Sequence, residues 1–418
     1  MRKTSKGFRL HIGLFGRRNV GKSSLLNAIT RQDVSIVSQV AGTTTDPVEK
    51  PMEMLPLGPV LFIDTAGLDD TDTLGRMRIR RTRQVFDRTD MGILVTETGK
   101  WNSYEDDILQ ELSRRRIPTI VVFNKYDIGQ INKSLEQKLR KAKIQTVSTI
   151  ASQCYGIHNL REALIKSAPD DFINTQPIIG DLVMPGELAI LVTPIDKEAP
   201  KGRLILPQVQ TIRDLLDHDA YCMVVQEDEL SNALKRLKQP PVLVVTDSQV
   251  FEKVVATVPA EIPTTSFSIL YARAKGDLNE FVRGALVLDN LQSGDHVLVA
   301  EACSHHPIED DIGRVKIPRW LMHHIGGRLE FATVQGHDFP NSLTQYKLII
   351  HCGACMWNRR EMLSRILRCR RASVPITNYG LAIAQILGIM ERALQPFPSI
   401  FKLYRQAISN KTKILQRP

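Results

Sequence analysis

The sequence predicts an α/β chain built as successive domains, and three observations point there. Apolar strand-like runs alternate with helical stretches from residue 1 to about 170, the pattern of a parallel sheet covered by helices. That pattern breaks at Ser167-Ala168-Pro169-Asp170-Asp171 and resumes on a smaller scale over 171–265. A third region, 266–418, sets two strands ahead of long helical periodicity that begins at Asn358.

In the first region the strands are expected at Phe8–Phe15, Val60–Ile63, Met91–Thr96 and Thr119–Phe123. In the second they are expected at Leu188–Thr193, Tyr221–Gln226, Val242–Thr246 and Thr265–Leu270, with helical segments Gln208–Leu216 and Glu229–Lys238 between them. The third offers His296–Ala300 and Tyr346–Ile350. No internal repeat stands out.

The chain has 418 residues, 43% of them hydrophobic and 24% charged, which excludes a disordered chain or a low-complexity scaffold. No apolar run reaches the roughly 18 residues of a membrane helix; Tyr379–Met390 is short and contains Gln385. The N-terminal stretch has no uninterrupted apolar core followed by a small-residue cleavage site, so a cytoplasmic location is expected. Six cysteines are too few for a disulfide framework and read better as core residues or metal ligands. The net charge of +10 suits an acidic partner, yet the basic residues are dispersed and not interleaved with aromatics, so nucleic acid is not an expected partner.

Gly16-Arg17-Arg18-Asn19-Val20-Gly21-Lys22-Ser23 fits GxxxxGKS between a strand, RLHIGLF, and a helix, SSLLNAIT. Backbone N–H groups at such a turn can surround phosphates without side-chain obstruction. Lys22 is expected to reach the β- and γ-phosphates and Ser23 to hold Mg2+, with Gly16, Asn19, Gly21 and Ser24 completing the cradle. Val60–Ile63 runs into Asp64-Thr65-Ala66-Gly67. A carboxylate is thereby placed to order the metal's water shell, and the Gly67 N–H is placed to sense a γ-phosphate. The strand TIVVF ends in Asn124-Lys125-Tyr126-Asp127.

In the order GxxxxGKS, DTAG, NKxD the chain resembles the Ras-like P-loop GTPases. The resemblance implies that Asp127 accepts hydrogen bonds from the guanine N1 and exocyclic amine, beside Asn124 and Lys125, so that the nucleotide is GTP or GDP. A fifth guanine loop is then expected near Val147-Ser148-Thr149, with Ser148 in it, although the customary Ser-Ala-Lys is Ser148-Thr149-Ile150 here. Ala41-Gly42-Thr43-Thr44-Thr45-Asp46 is similar to the GTTRD of the TrmE and Era-like branch, with Thr45 in place of Arg. That similarity implies Thr44 as the second protein ligand of Mg2+ and Asn19 as a potassium ligand; Asn also suits a turn on backbone grounds. The catalytic set is then Lys22, Thr44, Asp64 and Gly67. Leu68 follows the DTAG where Ras-type enzymes have a water-orienting Gln nearby, which implies slow hydrolysis, and Asp69, Asp70 and Asp72 read as a solvated acidic loop.

Outside this region, Cys303-Ser304-His305 lies at the end of one strand and His351-Cys352-Gly353-Ala354-Cys355 at the end of another. Two strand ends can converge on one ion or cluster. Cys355 also lies close to a helix N-terminus, where the dipole favours thiolate. Three thiolates with imidazole nearby suit zinc in a Cys3His site or three irons of a [4Fe-4S] cluster, and the residue types leave both open. Cys154, Cys222 and Cys369 lack such company and read as core or incidental.

The order CxH, long spacer, HCxxC, carried by Cys303, His305, His351, Cys352 and Cys355, resembles the [FeFe]-hydrogenase maturation GTPases. So do Pro194–Thr211 and GTTTDPV, and the resemblance covers essentially the full chain. It implies a P-loop Ras-like GTPase domain over 1–170, a small α/β dimerisation domain over 171–265 and an α/β iron-sulfur cluster-binding domain over 266–418. It implies Cys303, Cys352 and Cys355 as [4Fe-4S] ligands, with His305, His351, solvent or Glu309 as the fourth. It further implies a homodimeric scaffold that receives a diiron subcluster precursor from radical-SAM maturases and delivers it to apo [FeFe]-hydrogenase. Two alternatives stand beside it: an RNA-directed GTPase of tRNA modification or ribosome assembly, and a zinc-stabilised GTP-binding adaptor.

Overall fold

The computed structural model describes residues 5–30, 47–65, 83–169, 176–195, 202–302 and 311–415, without the side chains of 411–415. The chain divides into two compact units, Met1–Thr175 and Gln176–Pro418.

The first unit is built on a six-stranded sheet in the order β2-β3-β1-β4-β5-β6. Its strands are β1 Leu10–Phe15, β2 Val48–Met54, β3 Gly58–Asp64, β4 Met91–Glu97, β5 Thr119–Asn124 and β6 Gln145–Ser148. All pairings are parallel except that of β2 with β3. β1 is apolar but for His11 and buried along its whole length, because both of its faces are covered. Leu10, Ile12 and Leu14 pack with Leu25 and Ile29 of the helix Lys22–Thr30 and Leu160 and Leu164 of the helix Ile157–Ser167. Phe15 faces the other side with Leu94, Val121 and Leu112 of the helix Ser103–Arg114, and its ring stacks on Phe86 of a helical segment over 83–88 at 4.4 Å. Parallel strands all end on one edge, so the loops after β1, β3 and β5 gather there.

The second unit holds two four-stranded sheets. One has the order β10-β9-β7-β8, from β7 Leu188–Val192, β8 Tyr221–Val225, β9 Leu243–Thr246 and β10 Thr264–Ser266. The other has the order β12-β11-β13-β14, from β11 His296–Glu301, β12 Glu330–Gln335, β13 Leu348–His351 and β14 Ile376–Asn378. Both are wholly parallel. Counted from its own first strand, each sheet runs 2-1-3-4, and each closes with a three-residue strand whose last side chain caps the next helix. Ser266 accepts from Ile269 N and Asn378 from Leu381 N. The two junctions touch, Asn378 Nδ2 donating to Ser268 O at 2.9 Å. The second unit is thus a topological repeat that the sequence does not display.

The expected strand Thr265–Leu270 is corrected: it ends at Ser266, and Phe267–Lys275 is a helix. Phe267, Ile269, Leu270 and Tyr271 are all buried, so the apolar run has no period to distinguish the two states, and the Ser266 cap decides. β2, β6, β12 and β14 were not expected. β2, β6 and β12 are polar edge strands, and β14 has only three residues. Among the described residues no helix is long and apolar enough to cross a membrane.

Candidate functional site

The phosphate loop follows β1 directly. Its two glycines are fixed by space: Gly16 has φ +143°, and a Cβ there would lie 2.2 Å from the Val95 carbonyl oxygen. Gly21 has φ +94°, and a Cβ would lie 2.2 Å from Asn124 Nδ2. Asn19 adopts the left-handed region at φ 62°, which Asn tolerates. Lys22 is buried, and its Nζ donates to the carbonyls of Gly16 and Arg17, both at 2.7 Å. The ammonium is therefore held over the mouth of its own loop.

Asp64 ends β3 beside it. Ser23 Oγ donates to Asp64 Oδ2 at 2.8 Å, while Oδ1 is buried with no hydrogen-bond partner among the described residues. Burial raises the carboxyl above its ordinary value, opposed by Lys22, the Ser23 hydroxyl and Lys50. An oxygen left over in this way, next to a serine hydroxyl, suits a hydrated divalent cation, so the residues present fit Mg2+.

Asn124 ties the guanine motif to the phosphate loop. Its Nδ2 donates to Val20 O at 2.8 Å, and its Oδ1 accepts from Thr149 Oγ1 at 3.0 Å and Ala151 N at 3.1 Å. Lys125 Nζ donates to Glu97 Oε2 at 3.0 Å, and Tyr126 N donates to Thr149 O at 3.1 Å. These bonds bring Asn124, Lys125 and the Ser148-Thr149 turn to one place, with Asp127 and Ser24 exposed. Thr44, Gly67, Leu68 and the acidic loop at Asp69, Asp70 and Asp72 lie outside the described residues.

In the second unit, β11 and β13 are neighbours with Ala300 opposite His351, and Cys352 N donates to Ala300 O at 2.9 Å. The chain order reverses between these strands, and ligands of open α/β sheets collect outside the carboxyl ends of strands at such a point. Cys352 Sγ accepts from Ala302 N at 3.0 Å, a bond that favours a thiolate. Cys352 and Cys355 are both partly exposed. Cys303, His305 and Glu309 lie outside the described residues, and among the described residues no three His, Cys, Asp or Glu side chains form a metal site. The two described thiols, both in the turn that follows β13, are soft donors of the kind that an iron-sulfur cluster or zinc takes.

His351 is fully buried and both of its ring nitrogens are engaged. Nδ1–H donates to Cys352 O at 2.8 Å and Nε2 accepts from Arg365 Nη1 at 3.1 Å. Burial first, then the Arg365 charge, push the imidazole down to about 3, against the opposing Cys352 carbonyl. Arg365 lies between Trp357 and Phe339, at 4.1 and 4.5 Å from the ring centres, and donates to Gly336 O and Asp338 O at 2.7 and 3.1 Å. Burial lowers even this guanidinium to about 10, opposed by Glu361. Sequence reasoning passed over Arg365 as one of several arginines in RREMLSRILRCRR; its spacing with Met362 and Ile366 on the inward face was the available signal. Cys369 is buried and its thiol pushed up to about 12, and Cys222 is raised by partial burial.

The loop that encloses Lys22, the Ser23–Asp64 pair and the Asn124 hinge, on a sheet with these strand neighbours, defines a P-loop GTPase. Residues 11–125 match the 50S ribosome-binding GTPase family, residues 178–276 the hydrogen maturase F dimerization domain and residues 279–396 the hydrogen maturase F tetramerization domain. With both of those domains following the GTPase, the chain belongs to the hydrogen maturase F family.

Among curated proteins it is similar to the tRNA modification GTPase MnmE of Chromobacterium violaceum, 39% identical over 121 residues, which are 29% of this chain and 27% of that one. The MnmE of Aquifex aeolicus is 35% identical over 168 residues, 39% of this chain and 36% of that one. The chain thus spans about a third of the length of these relatives. Among solved structures, a variant of Aquifex aeolicus Era is 19% identical with a TM-score of 0.34, covering 52% of this chain and 93% of that one. The G domain of the T. maritima FeoB iron transporter is 22% identical with a TM-score of 0.31, covering 38% and 99%.

Proposed function

We propose that this chain is a GTP-hydrolysing scaffold of [FeFe]-hydrogenase maturation, which binds a [4Fe-4S] cluster, receives the diiron subcluster precursor from radical-SAM maturases and delivers it to apo-hydrogenase. The observation that carries it is the Ala300–His351 register, which aligns the strand leading to Cys303 with the one leading to Cys352 and Cys355. Cys303, Cys352 and Cys355 hold the cluster. His351, with both nitrogens engaged, positions the Cys352 turn, and His305, Glu309 or solvent supplies the remaining, exchangeable position. The cluster supplies an iron site at which a second inorganic unit can be held and released.

In the GTPase, Lys22 and the loop N–H groups neutralise phosphate charge, Ser23 and Thr44 ligate Mg2+ with Asp64 ordering its water shell, and Gly67 senses the γ-phosphate. Asn124, Lys125, Asp127 and Ser148 hold guanine, and Ser24 lines the phosphates. Asn19 holds K+, which stimulates an otherwise slow hydrolysis. The domains are 1–170, 171–265 and 266–418, and the protein works in the cytoplasm.

A homodimer forms along β8, an edge strand on which Tyr221 is 64% and Val224 41% exposed. An apolar unpaired edge is a template for another strand. An RNA-directed role would rest on the GTPase match alone and leave the cysteines without a purpose.

Binding of apo-hydrogenase and of each maturase to the full chain, loaded in turn with GDP and with a non-hydrolysable GTP analogue, tests the switching role. Affinities that differ between the two forms support it, and equal affinities for every partner contradict it.

A further inference from the structure

Arg17 follows the first glycine of the phosphate loop, but its side chain leaves the loop and enters the start of the helix Ser103–Arg114. Nε donates to Glu105 Oε1 at 2.8 Å, Nη2 donates to Asn102 Oδ1, and the guanidinium carbon lies 4.5 Å from the centre of the Tyr104 ring. Glu105 is only 1% exposed, and its other oxygen accepts from Asn102 N at 3.0 Å while Asn102 Oδ1 accepts from Tyr104 N at 3.1 Å. This is the reciprocal capping arrangement of a helix start. Its acceptors are therefore fixed before the arginine arrives.

The backbone of Arg17 faces the other way, its carbonyl accepting from Lys22 Nζ at 2.7 Å. The connection that carries Asn102 and Glu105 also meets the guanine motif. Glu97 accepts from Lys125 Nζ at 3.0 Å, and Thr98 donates to Asn124 O from its N at 2.9 Å and its hydroxyl at 3.0 Å. Residues 97–105 thus brace both nucleotide loops at once.

We infer that Arg17 is a positioning residue for nucleotide binding, clamping the phosphate loop to this brace; the inference rests on the GTPase reading. An exposed ion pair would contribute little, but here one partner is buried and pre-oriented, and a planar fork meets two acceptors while its face covers a ring. When phosphates draw Lys22 away from the Gly16 and Arg17 carbonyls, the loop loses that internal tie. The outer clamp then keeps its N–H groups pointing inward. Because the cradle serves bound substrate and transition state alike, its loss raises KM and leaves kcat.

The test uses the full chain with fluorescent N-methylanthraniloyl-GDP titration and GTP turnover, for wild type, Arg17→Ala, Arg17→Lys, Glu105→Gln and the double variant R17A/E105Q. Losing a charge-assisted clamp is expected to raise Kd and KM about ten-fold in R17A, with kcat within about two-fold. R17K recovers part of the loss, and E105Q adds little once Arg17 is gone. R17A within about two-fold of wild type in both Kd and KM, or an equal fall in kcat and kcat/KM, overturns the inference. Should R17A fail to fold, R17K and E105Q decide alone: unchanged binding in both overturns it, and weaker binding with retained kcat supports it. A wild-type chain that does not bind the probe refutes the GTPase reading instead.

Discussion

Arg365 donates from Nη1 to His351 Nε2 at 3.1 Å, and His351 passes the constraint on by donating Nδ1–H to the carbonyl of Cys352 at 2.8 Å. A buried arginine therefore fixes the tautomer of the residue that leads into the cysteine turn. Arg365→Met keeps much of the volume but leaves His351 Nε2 and the Gly336 and Asp338 carbonyls without their donor. A loss of at least about 2 kcal/mol in urea unfolding is expected. The same variant should load iron less completely. Wild-type stability would show that the arginine is incidental.

The imidazole of His351 is held down to about 3, whereas in the unfolded chain it titrates near the ordinary 6.5. As pH falls below about 6.5 the unfolded chain takes up a proton that the folded chain refuses until about pH 3, so this group costs stability progressively across that window. Cluster-free wild type should lose about 2 kcal/mol more than His351→Gln between pH 7 and pH 5. Parallel pH dependences in the two proteins would contradict a buried neutral imidazole.

Asp64 carries the opposite sign of problem. Its carboxyl is raised by burial, so the ionised form is unfavourable at neutral pH in nucleotide-free protein, and that cost is relieved as pH falls through the raised folded value. Asp64→Asn should stabilise the nucleotide-free chain at pH 7, by less at lower pH, while reducing Mg2+-dependent GTP turnover about 100-fold. A destabilised variant with near-normal turnover would remove Asp64 from the metal site.

Much of this was legible in the sequence for physical reasons. The loop 16–23 needs two glycines because the Val95 carbonyl and the Asn124 amide leave no room for a Cβ, so the motif records a steric requirement. Central strands such as β1 and β4 read as apolar runs because they are covered on both faces. Edge strands β2 and β12 carry polar residues on an open side and give no such run. Arg17 was legible only as a loop residue. Its partners stand in Asn102-x-x-Glu105, a capping pattern ahead of Ile108 and Leu112, but nothing in that spacing says that an arginine 85 residues earlier fills it. The shared 2-1-3-4 order of the two small sheets was hidden because topology persists where side chains differ.

β8 presents Tyr221 and Val224 on an unpaired sheet edge, with Leu216 nearby in sequence 55% exposed. Tyr221→Lys places a charge where a second strand would lie. Sedimentation of the full chain should show dimerisation weakened by about ten-fold or more in affinity, with the monomer's melting temperature unchanged. An unaltered dimer would move the interface elsewhere.

The most direct measurement is iron and acid-labile sulfide per chain after anaerobic reconstitution, with electron paramagnetic resonance of the reduced protein, for wild type and for Cys303→Ser, Cys352→Ser and Cys355→Ser. The account predicts about four irons and four sulfides in wild type, lost on each substitution while GDP binding is retained. Folded wild-type protein that binds GDP and zinc but assembles no iron and sulfide would contradict it.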